Sequence, residues 1–243
     1  PAPALKVPVV ADFTGPFFEK VVAERPDLII AQGETWDKAR IEAWQQKCGT
    51  PVAALTAGTV ARVVQSIEKV GAWLDKSDKA RQIAQPLRRW AQTPAWSPVE
   101  RPPLRAFFEV SRAPLLTAGQ GTLIDDVIHK AGLANIANPP RNVPGEIYVA
   151  GGEIKGYKLY NLEALTAKEP DAYIVAEKNP NQARVLRDLR RHAALGRLKC
   201  IREGHVIVLH ADWVLRPGPR LQQGLQELHG EAWRMAKVSK NRS

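Results

Sequence analysis

The sequence predicts an α/β protein built as two similar lobes, with a helix and a stiff connector between them. Two observations carry that prediction. One is an ungapped internal repeat, and the other is the alternation of apolar, strand-like runs with amphipathic helical stretches. Residues 18–30 read FEKVVAERPDLII and residues 162–174 read LEALTAKEPDAYI. The repeat sets Glu19 on Glu163, Ala23 on Ala167, Pro26 on Pro170, Asp27 on Asp171 and Ile30 on Ile174. Each copy is a short helix, a Pro-Asp turn and an apolar run suited to a buried parallel strand. The proline closes the helix because its ring disfavours helical geometry at the residue before it.

Strands are expected at Leu28–Ala31, Val52–Leu55, Leu104–Val110, Ala172–Ala176 and Val206–Leu209. Helices fall between them. Val60, Val63, Val64, Ile67, Val70 and Leu74 recur at three and four, an apolar stripe that faces a sheet. Leu123, Ile124, Val127, Ile128 and Ala131 repeat the pattern. Thr122 and Asp125 open that helix as a variant capping box, and Gly132 stops it. The last helix follows Pro217 and Pro219 and carries Leu221, Leu225 and Leu228 on one side. Strands alternating with helices mean parallel sheets with helical faces. Between the halves, Ala80, Ile83, Ala84 and Leu87 predict a helix over Ser77–Ala91, with a kink expected at Pro86. The proline-rich stretch that follows, through Pro94, Pro98, Pro102 and Pro103, is a stiff connector. The expected division is a first lobe at 1–76, a linker at 77–103 and a second lobe at 104–243.

Composition narrows the function. The 243 residues are 44% apolar and 25% charged, ordinary values for a globular protein. No apolar run is long enough to span a bilayer. The net charge of +10 is spread along the chain, densest from Arg184 to Arg197, with no zinc-finger, RNP or basic-zipper pattern. A nucleic-acid partner is therefore not expected. Cys48 and Cys200 stand far apart and belong to no CxxC pair, so neither metal nor redox chemistry is indicated. His129, His192, His205, His210 and His229 belong to no HExxH, and there is no GxSxG. The glycine-containing turn Thr117–Thr122 runs into a helix whose first N–H groups can receive an anion, yet neither a GxxxxGK[ST] nor a GxGxxG motif is present. The expectation is a binding protein and not an enzyme.

Aromatic residues at predicted strand ends are the candidate ligand contacts, because open α/β sheets bind ligands outside the carboxyl ends of their strands. Trp36 follows the first strand, Trp213 follows Val206–Leu209, and Phe108 lies near the end of Leu104–Val110. Flat aromatic faces suit a large, partly apolar ligand. Asp212 and Arg216 stand beside Trp213, and can pair with each other or bond a ligand.

These segments resemble the substrate-binding proteins of ABC importers for vitamin B12, haem and ferric siderophores. The resemblance rests on Arg25–Ile30, on Pro114–Gly119 with Gly121–Ile128, and on Ala131-Gly132 with Asn135-Ile136. It continues through Leu162–Leu165 with Pro170-Asp171 and ends at Arg216–Leu221. It implies the class III periplasmic-binding-protein fold, two Rossmann-like lobes joined by a long helix. It also implies a location in the periplasm or anchored outside the cytoplasmic membrane. The partners it implies are a small-molecule ligand and an ABC permease, the protein acting as a monomer. The expected ligand is cobalamin or a related corrinoid, with haem or a ferric siderophore as the alternative, and a scaffold or sensor domain as a third reading. On this resemblance the ligand contacts are Phe13, Trp36, Phe108, Tyr157 (or Tyr160), Asp212, Trp213 and Arg216. Tyr148, Tyr157 and His210 would be the residues for a haem iron. Permease docking through one acidic residue per lobe falls to Glu34 or Glu42 in the first and Asp188 in the second. The family pattern carries a strand and helix ahead of Lys6–Val10 that this sequence does not show.

Overall fold

The computed structural model describes residues 6–12, 15–32, 36–93, 102–138 and 156–240. The chain forms two α/β lobes linked by a long helix, and its residues cluster into two compact units, Pro1–Thr56 and Ala57–Ser243.

In the first unit, β1 (Ala11–Asp12) and β2 (Gly15–Pro16) pair antiparallel ahead of α1 (Phe18–Ala23). Strand β3 (Ile29–Gln32) then pairs in parallel with β4 (Val52–Leu55), the crossover being α2 (Lys38–Cys48). Asp37 caps α2 by accepting a bond from the Arg40 amide at 2.8 Å, and Gly49 ends it in the left-handed conformation. Val21, Ala31 and Val52 are the buried apolar residues here.

The second unit begins with α3 (Val60–Trp73) and the linker helix α4 (Ser77–Gln92), which runs unbroken past Pro86. Next come β5 (Arg105–Glu109), β6 (Ser111–Arg112), β7 (Leu115–Ala118), α5 (Leu123–Lys130), β8 (Ala134–Asn135) and β9 (Tyr157–Leu159). The chain continues through α6 (Leu162–Lys168), β10 (Ala172–Glu177), α7 (Gln182–Arg191), α8 (Lys199–Glu203), β11 (Val206–His210), α9 (Ala211–Val214) and α10 (Leu221–Lys240). The main sheet is parallel, in the order β11-β10-β5-β8, and β6, β7 and β9 make a small antiparallel sheet.

Strand alternation splits the unit into two cores. Ala106, Phe108, Ala172, Ile174, Ile207 and Leu209 face α3, α4, α5 and α10. Phe107, Tyr173, Val175, Val206 and Val208 face α6, α7 and α8. This parity places Phe108 with the first set. Its ring is fully buried in the first core, beneath the helices. Helix α3 shares the same core through Val60, Val63 and Val64, so its apolar stripe packs in the second unit.

The sequence repeat is also a backbone repeat. Helices α1 and α6 occupy matching positions, and the aligned residues Arg25 and Glu169, each just before its proline, are both left-handed, with φ of 46° and 41°. Proline disfavours right-handed helical geometry at the residue before it, and both copies meet that restriction the same way. The α5 capping box forms by half. Thr122 accepts from the Asp125 amide at 3.1 Å, but the buried Asp125 carboxylate turns away to accept from Asn135 at 2.9 Å and from Asn138.

Candidate functional site

Strand β5 is the switch point of the main sheet. The chain leaves it for β8 on one side and later returns to β10 on the other. Ligands of open parallel sheets sit outside the carboxyl ends at such a point. At that edge β5 ends in Glu109, β10 ends in Glu177, and Asp212 follows the end of β11.

The β11 end carries the cluster expected from the sequence. The His210 Nδ1 atom accepts from the Asp212 amide at 3.2 Å and so caps α9. The same ring stacks on Trp213 at 5.1 Å between centroids and 19° between planes. Asp212 accepts from Arg216 Nε at 2.7 Å and lies 3.6 Å from Arg220 Nη1. The hydrogen bond from Arg216 is the main cause holding the Asp212 carboxyl below its ordinary range. Behind this cluster α10 approaches closely because Gly224 has no side chain. A Cβ there would lie 2.5 Å from Val214 Cγ1 and 3.1 Å from the Trp213 carbonyl oxygen.

The β5 end holds a second cluster that sequence reasoning missed. Glu109 is buried, and its carboxylate accepts from Arg112 Nε at 3.0 and 3.1 Å and from the Tyr173 hydroxyl at 2.5 Å. Burial and then the neighbouring Glu109 push the Tyr173 phenol far up, so it stays a donor. Burial opposes the Arg112 charge, but the bond to Glu109 and its attraction outweigh that and raise the guanidinium. Between the two clusters Arg184 pairs with Glu177. The signal in the sequence was a Glu-x-x-Arg spacing at a predicted strand end, which is common enough to pass unnoticed.

The other candidates separate. Tyr157 opens β9 and is 53% exposed, whereas Tyr160 packs on Phe107 at 5.2 Å. Trp36, in the first unit, packs against Trp44 at 5.6 Å, with the Arg40 guanidinium 4.7 Å above its ring. Phe13, Glu34 and Tyr148 lie outside the described residues. The carboxylate of Glu42 is 3.7 Å from Lys38, and that of Asp188 is 3.8 Å from Arg184 and 4.0 Å from Arg187. The start of α5 does not suit an anion, since Asp125 and Asp126 place two carboxylates in its first turn. Among the described residues no group of three or more His, Cys, Asp or Glu could hold a metal ion, and no helix is long and apolar enough to cross a membrane.

Comparison with known proteins agrees with this fold. The periplasmic binding protein family matches residues 1–213. The vitamin B12-binding protein of Salmonella typhi is 26% identical over 231 residues, covering 94% of this chain and 77% of that one. A periplasmic heme-binding protein solved with two hemes superposes with a TM-score of 0.73 at 26% identity, covering 97% of this chain and 85% of that one. The vitamin B12-binding protein of Vibrio cholerae shares the fold, with a TM-score of 0.71 at 22% identity over 96% of this chain and 84% of that one. The chain therefore belongs to the periplasmic binding protein family, as a class III member of the ABC-importer group: a substrate carrier of the periplasm, without catalytic activity.

Proposed function

We propose that this protein captures a corrinoid of the cobalamin type and delivers it to an ABC permease. The observation that carries the reading is the cluster at the end of β11. Asp212 grips Arg216 while Trp213 stands half-buried beside it, which sets an aromatic face next to directional hydrogen-bond groups. Such a pairing suits a macrocycle with polar side groups. The work is reversible binding, and no bond of the ligand is broken. Tyr157 supplies a second exposed aromatic face on the same unit. A haem is the second reading, supported by the 26% identity to a protein solved with two hemes.

Docking on the permease follows the repeat. Glu19 and Glu163 occupy the same place in the two copies, each exposed in the first turn of its helix. This pair, one carboxylate per lobe and matched by the repeat, stands beside Glu34 or Glu42 and Asp188 as docking residues.

Titration with cyanocobalamin and haemin, followed by tryptophan quenching and calorimetry, tests the ligand. The expectation is uptake of cyanocobalamin, weakened about tenfold or more in Trp213→Ala, the scale of a binding hot spot. Uptake of haemin alone would move the assignment to haem. An unchanged affinity in Trp213→Ala would make that residue structural.

A further inference from the structure

At the β5 end of the sheet a buried carboxylate lies beneath a partly exposed arginine. Glu109 is 5% exposed and Tyr173 is fully buried, while the Arg112 side chain is 31% exposed. Two atoms of the Arg112 fork, Nε and Nη2, face Glu109. The third, Nη1, has no partner among the described residues. The guanidinium is thus held from the inner side and open on the outer side.

Such a trio is a poor stability device. Desolvating a carboxylate and a guanidinium costs about as much as their pairing returns, and well-packed apolar residues commonly do as well. What the trio does supply is a fixed guanidinium. An unrestrained arginine loses rotamer freedom when a ligand immobilises it, and that loss weakens binding. The bonds from Glu109 meet that cost during folding. The position also matters, because Arg112 sits just past the carboxyl end of β5, the switch-point strand. Glu177 and Arg184 stand nearby, so the local charges balance. Recognition here works by directed hydrogen bonds and not by a broad positive field.

We propose that Arg112 is a ligand-recognition residue whose outer N–H groups bond an oxyanion of the ligand, a carboxylate or a phosphate, with Glu109 and Tyr173 as positioning residues. The proposal rests on the reading of this edge as the ligand edge. It adds a substrate requirement to that reading: the ligand carries an acidic group within reach of the β5 end.

The test uses the intact protein and its Arg112→Gln and Arg112→Lys variants. The probes are cyanocobalamin, whose acidic group is a phosphate, haemin, whose acidic groups are carboxylates, and haemin dimethyl ester, in which those carboxylates are blocked. Arg112→Gln is expected to weaken the bound probe at least about tenfold, with Arg112→Lys intermediate because it keeps the charge and loses the fork. If haemin is the ligand, esterification and the Gln substitution should each cost affinity, and together cost no more than one of them. A variant with lowered Tm and unchanged affinity would overturn the proposal, since Arg112 would then only pin the β6–β7 turn. If the native protein takes up neither cyanocobalamin nor haemin, the ligand assignment above fails by itself. Arg112 is then read directly from its Nε–Hε resonance during titration with sodium pyrophosphate and citrate. A saturable shift sustains the oxyanion site, and no shift overturns it.

Discussion

Replacing Gly224 by alanine should move the Trp213 ring by pressing on its main chain and on Val214. The added Cβ would stand 2.5 Å from Val214 Cγ1, 3.1 Å from the Trp213 carbonyl oxygen and 3.3 Å from its carbon. Carbon atoms pack at about 3.5–4.0 Å, so the gap between α9 and α10 is short by about 1 Å. Neither neighbour can yield easily. Val214 is fully buried and β-branched, which fixes its rotamer in a helix, and the other contact is main chain. The helices must therefore separate. Overpacking of this kind costs about 1–3 kcal/mol. Alanine returns about 1 kcal/mol through its better helix propensity. The expected net loss is about 1 kcal/mol, read as a lower urea midpoint at unchanged slope. Ligand affinity should fall with it, because α9 carries both Asp212 and Trp213. A variant as stable as the native protein with undiminished affinity would refute the close approach of α10 to the site.

Two further substitutions separate packing from recognition. Phe108→Ala should destabilise the fold by about 3–5 kcal/mol, the cost of emptying a fully buried aromatic site, while the folded fraction keeps its affinity; affinity loss at native stability would return Phe108 to the ligand contacts. Glu227→Gln should raise Tm at neutral pH by up to about 2 °C. The Glu227 Oε2 atom is buried without a hydrogen-bond partner among the described residues, and burial followed by the Glu231 charge raises its carboxyl. An acid raised in the folded state destabilises it where the unfolded chain would ionise. The advantage of Gln should therefore vanish below the unfolded-state value of about 4.3 and be complete above the raised folded one. Melting curves across that range check it, and a constant difference at all pH values would refute the assignment to ionisation.

The parts of the fold with a strong period were legible in the sequence. Strand β4 matched its expected bounds, and β5, β10 and β11 differ from expectation by a residue at one or both ends, because apolar runs between turns leave few alternatives. Helices α3, α4 and α5 followed from stripes at three and four. The antiparallel trio β6, β7 and β9 was not foreseen, since strands of two to four residues are too short for a pattern. At the site, the pairing of Asp212 with Arg216 was readable because the two are four apart. The Glu109, Arg112 and Tyr173 trio was not, because Tyr173 lies on another strand and meets Glu109 only once the sheet forms. The burial of Phe108 in the first core was not legible either. A strand buried on both faces gives no polar side from which to read which residues point where.

The first core of the second unit joins Val60 of α3 to Leu221, Leu225 and Leu228 of α10, residues from near opposite ends of that unit. Its hydrophobic centre thus stays open until the first turns of α10 are in place. Contacts between segments so distant along the chain form slowly, since the intervening loop must close before any of them is rewarded. Closure of this core should therefore be a late step in folding, completed when α10 docks on the sheet beside α3.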